Sequence, residues 1–157
     1  MTFAPTTRIV SVVRRFVMSL YERILEDDEM SSQLALVTHE LLENAVKYNI
    51  DEATALRVTM TPQSETMSEI VVTIRTRNRA TAENIRIAER LITEVRDAED
   101  PFMFYQQLIA VSADEPQRSG LGLARIRAET EMTIDFTIDG DEIEIVAHAQ
   151  IRPGGEP

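Results

Sequence analysis

The chain contains no cysteine. That excludes a disulfide framework, thiol catalysis and cysteine-ligated zinc or iron–sulfur centres. Its histidines, His39 and His148, are too few for a histidine-rich metal site. His148 sits in a terminal run rich in Ile and Val, where a hydrogen-bonded or exposed ring is expected rather than a ligand. No apolar run approaches the roughly 18 residues of a membrane span, and the N-terminus lacks the basic-then-apolar pattern of a signal peptide. These absences read as a soluble, cytoplasmic protein with no membrane partner. Cations are the minority, with 16 Lys and Arg against 27 Asp and Glu for a net charge of −11. Such a surface repels phosphate backbones, so nucleic acid is not an expected partner. Glycine is scarce, at 5 of 157 residues, and this matters because loops that cradle phosphate use glycine.

What is present describes one compact domain. At 43% hydrophobic and 27% charged, a chain of this size can bury a core without staples. The domain is expected over residues 1–151, with 152–157, Arg152-Pro153-Gly154-Gly155-Glu156-Pro157, as a disordered tail. Ile9, Val12, Val13, Phe16, Val17, Leu20 and Ile24 recur at helical spacing. A second helix, capped by Ser31 or Ser32 after the acidic turn Asp27-Asp28-Glu29, runs to about Asn49 with Leu34, Val37, Leu41, Ala45 and Tyr48 on one side. Leu56, Val58 and Met60, then Ile70, Val72 and Ile74, alternate as strands on either side of Pro62-Gln63-Ser64.

The period then returns to helical. Thr81 caps a stripe of Ile85, Ala88, Leu91, Ile92 and Val95, and Asp100-Pro101 opens a further helix with Phe102, Tyr105, Leu108 and Ile109. Core packing is the default for Phe102, Phe104 and Tyr105, with a partner or adenine contact as the alternative. Ser112 to Ser119 reads as a mobile loop, and Ala124 to Thr130 as a short helix. Asp139-Gly140 between alternating runs signals a type I′ hairpin turn. The order α-α-β-β-α-α-α-β-β predicts an α+β (α/β sandwich) fold, a mixed sheet of about four or more strands covered by helices on one face.

Chemistry concentrates in His39-Glu40-Leu41-Leu42-Glu43-Asn44-Ala45-Val46-Lys47-Tyr48-Asn49. At ~100° per residue, Glu40, Asn44 and Lys47 fall within a sector of about 60°. An Asn oxygen suits a magnesium ion shared with phosphates. A carboxylate one turn away can orient or deprotonate a nucleophile, and an ammonium can meet phosphate oxygens. The plain alternative is a polar network on a surface helix, with Glu43 and Lys47 as an i, i+4 pair. Arg77, Arg79, Arg86 and Arg90 form a basic run, read as a solvated face or as a receiver for an acidic partner.

The run Glu40 to Tyr48 resembles the Asn-box of the GHKL (Bergerat-fold) ATPases, the superfamily of gyrase, MutL and histidine-kinase ATP domains. Glu at its first position is similar to the anti-sigma factor and serine-kinase branch. Ser119-Gly120-Leu121-Gly122-Leu123 resembles the second glycine box, where backbone N–H groups and a helix N-terminus face phosphate. The element order follows the same superfamily over nearly the whole chain. Within it the chain resembles the SiaB-like kinases.

The resemblance implies a Bergerat-type sheet, ATP and Mg2+ as cofactors, and a bacterial partner-switching protein. Its implied partner is a STAS-domain anti-anti-sigma-like protein or a sigma factor, and homodimerisation stays open. Glu40 would orient or deprotonate the attacking hydroxyl and Asn44 would hold magnesium. Lys47, Tyr48, Ser119, Gly120, Leu121, Gly122 and Leu123 would lie at the nucleotide. The superfamily's Asp-x-Gly-x-Gly loop is missing, because no glycine occurs between Tyr48 and Ser119. Asn78, in Thr76-Arg77-Asn78-Arg79-Ala80, stands near the absent Asp and can accept from an amino group without charge. Two readings follow: an ATP-dependent serine/threonine kinase or partner-switching regulator with a rebuilt pocket, or a non-catalytic interaction module of the same fold that has lost ATP.

Overall fold

A computed structural model describes residues 2–3, 7–51, 53–63, 69–114 and 120–152. The elements are β1 (Thr2–Phe3), α1 (Thr7–Leu25), α2 (Asp28–Lys47), β2 (Thr54–Pro62), β3 (Ile70–Arg79), α3 (Ala82–Asp97), α4 (Pro101–Asp114), α5 (Leu121–Glu129), β4 (Thr133–Asp139) and β5 (Glu142–Ile151). The strands form one sheet in the order β1-β2-β3-β5-β4. The α+β class and the layer of helices follow the sequence pattern. The expected mixed sheet is corrected, since every described pairing is antiparallel. β3 and β4 do run in the same direction, but β5 is inserted between them and pairs antiparallel with both. The short β1, which pairs with β2 through Thr2↔Ala55, was not legible as a strand.

Period-2 alternation decides which sheet face meets the helices. Ile70, Val72, Ile74, Ile143, Ile145, Ala147 and Ile134 are buried toward them. The residues between point the other way, and there Arg75 reaches Glu144 at 3.1 Å and Arg77 reaches Glu142 at 3.2 Å. α2 is the central helix, packed by α1 on one side and by β3 and α5 on the other. Accordingly Leu34, Val37, Leu41, Leu42 and Ala45 are all buried.

Local signals hold at several caps. Thr81 accepts from Asn84 N at 3.2 Å, and Asp100 accepts from Met103 N at 2.9 Å. Others move. α2 is capped by Asp27, whose Oδ1 accepts from Met30 N at 2.9 Å, so the acidic turn is the helix's first turn, where carboxylates favour the positive dipole end. Ser31 is instead fully buried. The hairpin loop is Gly140-Asp141, because Asp139 pairs with Glu142. Only Gly140 in it has positive φ, at 62°, the pattern of a type II′ turn with glycine first rather than type I′. Residues 112–114, expected as loop, continue α4. α5 begins at Leu121, three residues before the expected Ala124. Arg152 Nε donates to Glu69 Oε1 at 2.9 Å, while the rest of the expected tail lies outside the described residues.

Candidate functional site

The end of α2, the end of β3, one face of α3 and the start of α5 enclose a cavity of about 410 Å3. Asn44 and Tyr48 enter it from α2, Asn78 from β3, and Gly120, Leu121 and Leu123 from the α5 entrance. Ala45, Ala88, Leu91, Leu108, Ile143 and Ile145 supply apolar wall. Most of the sites marked in the sequence therefore converge, although they come from segments up to about 80 residues apart. Ser119 lies outside the described residues.

Asn78 continues the inward alternation of β3, which is why a polar residue is only 6% exposed there. Its Nδ2 donates to the Arg79 carbonyl at 3.2 Å, leaving Oδ1 as an acceptor. Two residues earlier on the same face, Thr76 Oγ1 is buried without a hydrogen-bond partner among the described residues. This end of the strand has polar capacity that no described residue fills.

The three polar residues of the Asn-box separate. Asn44 lines the cavity. Lys47 is exposed, with Nζ 5.2 Å from the centre of the Tyr48 ring, and it is not part of the lining. Glu40 lies one turn before Asn44, outside the lining, and packs against α5. Its carboxylate fills the space in front of Gly122, and its Oε1 lies 3.5 Å from Arg125 Nη1. Burial pushes the Glu40 pKa up, against the lowering influence of His39 and Arg125.

Gly120 precedes α5 at φ 139°, and among the described residues no side chain caps this helix. Among them the first-turn N–H groups of α5 lie without a capping side chain, at the positive end of the helix dipole. Both glycines also have packing reasons. A Cβ at Gly120 would stand 2.6 Å from Leu91 Cδ2, and one at Gly122 would overlap Glu40.

Sequence reasoning passed over Arg125, which meets Glu40 only through the α2–α5 packing. It also passed over Asn84 and Glu94, which line the cavity beside Ile87 and Leu91. Asn84–Leu91 and Ile87–Glu94 are seven apart, a spacing that marks one face of α3 adjacent to its buried stripe. Within the basic run, Arg90 lines the cavity. Arg77 is paired with Glu142, and Arg79 with Asp141 and with Asp51 at 3.4 Å. Of the aromatic group on α4, Phe102 is 56% exposed, while Phe104 and Tyr105 pack partly buried against the core. His148 hydrogen-bonds Thr133 Oγ1 through Nε2 at 3.0 Å.

No group of three or more His, Cys, Asp or Glu suited to hold a metal occurs among the described residues. No helix among them is long and apolar enough to cross a membrane. No protein-family model and no curated protein matches this chain. Among solved structures, a chain in the crystal structure of the SiaB-SiaC complex from Pseudomonas aeruginosa matches it with a TM-score of 0.63 and 13% identity, over 96% of this chain and 89% of that chain. The two chains share a fold. At that identity, chemistry has to be argued from this chain's own residues.

Proposed function

We propose that this chain is a bacterial signalling regulator of the GHKL type, which binds Mg·ATP in the cavity between α2, β3, α3 and α5. It acts on a STAS-domain protein partner as a serine/threonine kinase. The observation that carries this reading is the meeting of Asn44, Asn78 and Gly120 around one largely apolar cavity of about 410 Å3, within the range of small-molecule sites. A neighbour solved as a complex of two proteins supports the protein partner.

The residues fit the nucleotide in two places. Asn78 Oδ1 would accept from a base amino group, and two residues earlier on the same strand face Thr76 Oγ1 has no partner among the described residues. Asn44 offers a neutral oxygen for magnesium, and phosphates would have to supply much of the remaining shell, as magnesium sites commonly arrange. Mg·ATP, when bound, supplies the transferable phosphoryl group. The α5 N-terminus favours negative charge beside it. Lys47 would have to leave the Tyr48 ring to reach a phosphate. Glu40, with its proton affinity raised by burial, suits removal of a proton from a hydroxyl.

A second reading is an interaction module without nucleotide. It is favoured by one observation: Glu40 is already held by Arg125 and seated on Gly122. Titration calorimetry with Mg·ATP separates the two. The kinase reading expects binding, a rise in melting temperature near millimolar Mg·ATP, and loss of the magnesium dependence in Asn44→Ala. Absence of heat and of any thermal shift leaves the module.

A further inference from the structure

Helix α1 resolves into ridges at i, i+4 spacing. Val13, Val17, Tyr21 and Leu25 are buried on the side that packs against α2. The adjoining ridge, Val12, Phe16, Leu20 and Ile24, is equally apolar yet 57%, 59%, 39% and 40% exposed. It extends ~18 Å along the helix at 1.5 Å per residue. Scattered exposed hydrophobics need no explanation, but a contiguous rank running over more than three turns marks a contact surface.

The next ridge outward is Ser11, Arg15, Ser19 and Arg23, all exposed. Neither arginine forms an ion pair among the described residues, although acids outnumber bases 27 to 16 in the chain. Beyond it lies the α1–α2 groove of about 530 Å3, where Arg14 adds a further cation beside the polar His39 ring and Glu22 is the single lining carboxylate. His39 Nδ1 is buried there without a partner among the described residues. The apolar rank is thus bordered by positive charge along its open side.

That border selects among occupants. A second copy laid antiparallel, Phe16 against Leu20 of the copy, brings Arg15 alongside Arg23 of the copy, a like-charge juxtaposition repeated by symmetry. An amphipathic helix with acidic residues beside its apolar stripe meets both ridges favourably.

We propose that the outer face of α1 docks an amphipathic helix of a protein partner, with its apolar residues on Val12, Phe16, Leu20 and Ile24 and its acidic flank on Arg15 and Arg23. This rests on the protein-partner half of the proposed function and is independent of nucleotide.

The test uses the full chain and two synthetic helical peptides that share one leucine stripe, flanked by glutamates in one and lysines in the other. Fluorescence anisotropy should give the glutamate peptide at least ~10-fold tighter binding, about 1.4 kcal/mol. Amide shifts on binding should fall on residues 11–24. Phe16→Asp should weaken binding by a similar factor while leaving circular dichroism and melting unchanged, and Arg15→Glu with Arg23→Glu should invert the peptide preference. Equal affinities, no binding of the glutamate peptide, or shifts away from α1 overturn the proposal. So does a wild-type dimer in sedimentation that Phe16→Asp dissolves, which would give the ridge to a second copy. Mg·ATP calorimetry on the same samples reports on the nucleotide separately, so either conclusion can fail alone.

Discussion

The carboxylate of Glu40 occupies the space that a side chain at position 122 would need. Three residues after Gly122, Arg125 holds the same carboxylate from the other side at 3.5 Å. A glycine that reads in the sequence as a phosphate-approach residue is therefore also the seat of an acid from another helix.

This makes Gly122→Ala and Glu40→Ala coupled. In wild type the new Cβ must displace the Glu40 carboxylate and with it the Arg125 contact. In the Glu40→Ala background that obstacle is gone, and the helix-propensity gain of alanine over glycine, about 1 kcal/mol, is left. Urea unfolding of the four proteins should give a coupling energy of at least about 1 kcal/mol. Additive effects would contradict the packing described.

Gly120→Ala should behave differently, because two obstacles act there. The φ of 139° is one that L-residues rarely adopt, and Leu91 Cδ2 stands 2.6 Å from the added Cβ. The expected loss is about 2–3 kcal/mol. Leu91→Ala in the same chain should not rescue it, since the backbone strain persists; full rescue would place the problem in packing alone.

Glu40 also sets a pH dependence. Burial raises its folded-state pKa above the ordinary 4.5, so the unfolded chain releases this proton first as pH rises. Its contribution to stability is fully present below about pH 4.5 and declines as pH climbs through the raised folded value. Unfolding free energies measured from pH 4 to 8 should fall in wild type relative to Glu40→Gln. A rise would mean that the Arg125 contact outweighs burial.

Tyr21 offers the alkaline counterpart. Thr38 Oγ1 donates to the Leu34 carbonyl at 2.8 Å, so the Tyr21 hydroxyl is the donor in its 2.9 Å bond to Thr38. Burial pushes the phenol up to about 12 from an ordinary 10. Stability is therefore intact below pH 10 and falls between 10 and 12, by up to about 2–3 kcal/mol. Tyr21→Phe should cost about 1 kcal/mol at neutral pH and remove this tyrosine's share of the alkaline loss.

Local rules made much of this molecule legible. Alternation through Ile70, Val72 and Ile74 gave the buried face of β3, and Thr81 and Asp100 announced their helices because capping is a contact within one turn. Ser31 misled because it has the right chemistry for a cap, while the fold places it inside α2 and buries it completely. The turn at Gly140 shifted by one residue because register is set by the pairing of Asp139 with Glu142, not by the dipeptide. Asn44 and Asn78 were marked by motif and by alignment with an absent acid, and the fold brings both to one cavity. Arg125 could not be paired with Glu40 from sequence, since only the α2–α5 crossing decides which of several exposed-looking arginines meets a half-buried acid.

The insertion of β5 between β3 and β4 bears on how the chain is made. β5 follows β4 in the chain yet is an interior strand of the sheet, so β3 has an open hydrogen-bonding edge until residues 142–151 have emerged from the ribosome. Pairs such as Ile74↔Ala147 close a long loop, which slows the final assembly. Nascent chains halted before β5 should expose a β3 edge prone to strand addition, an edge that chains carrying residues 142–151 cover.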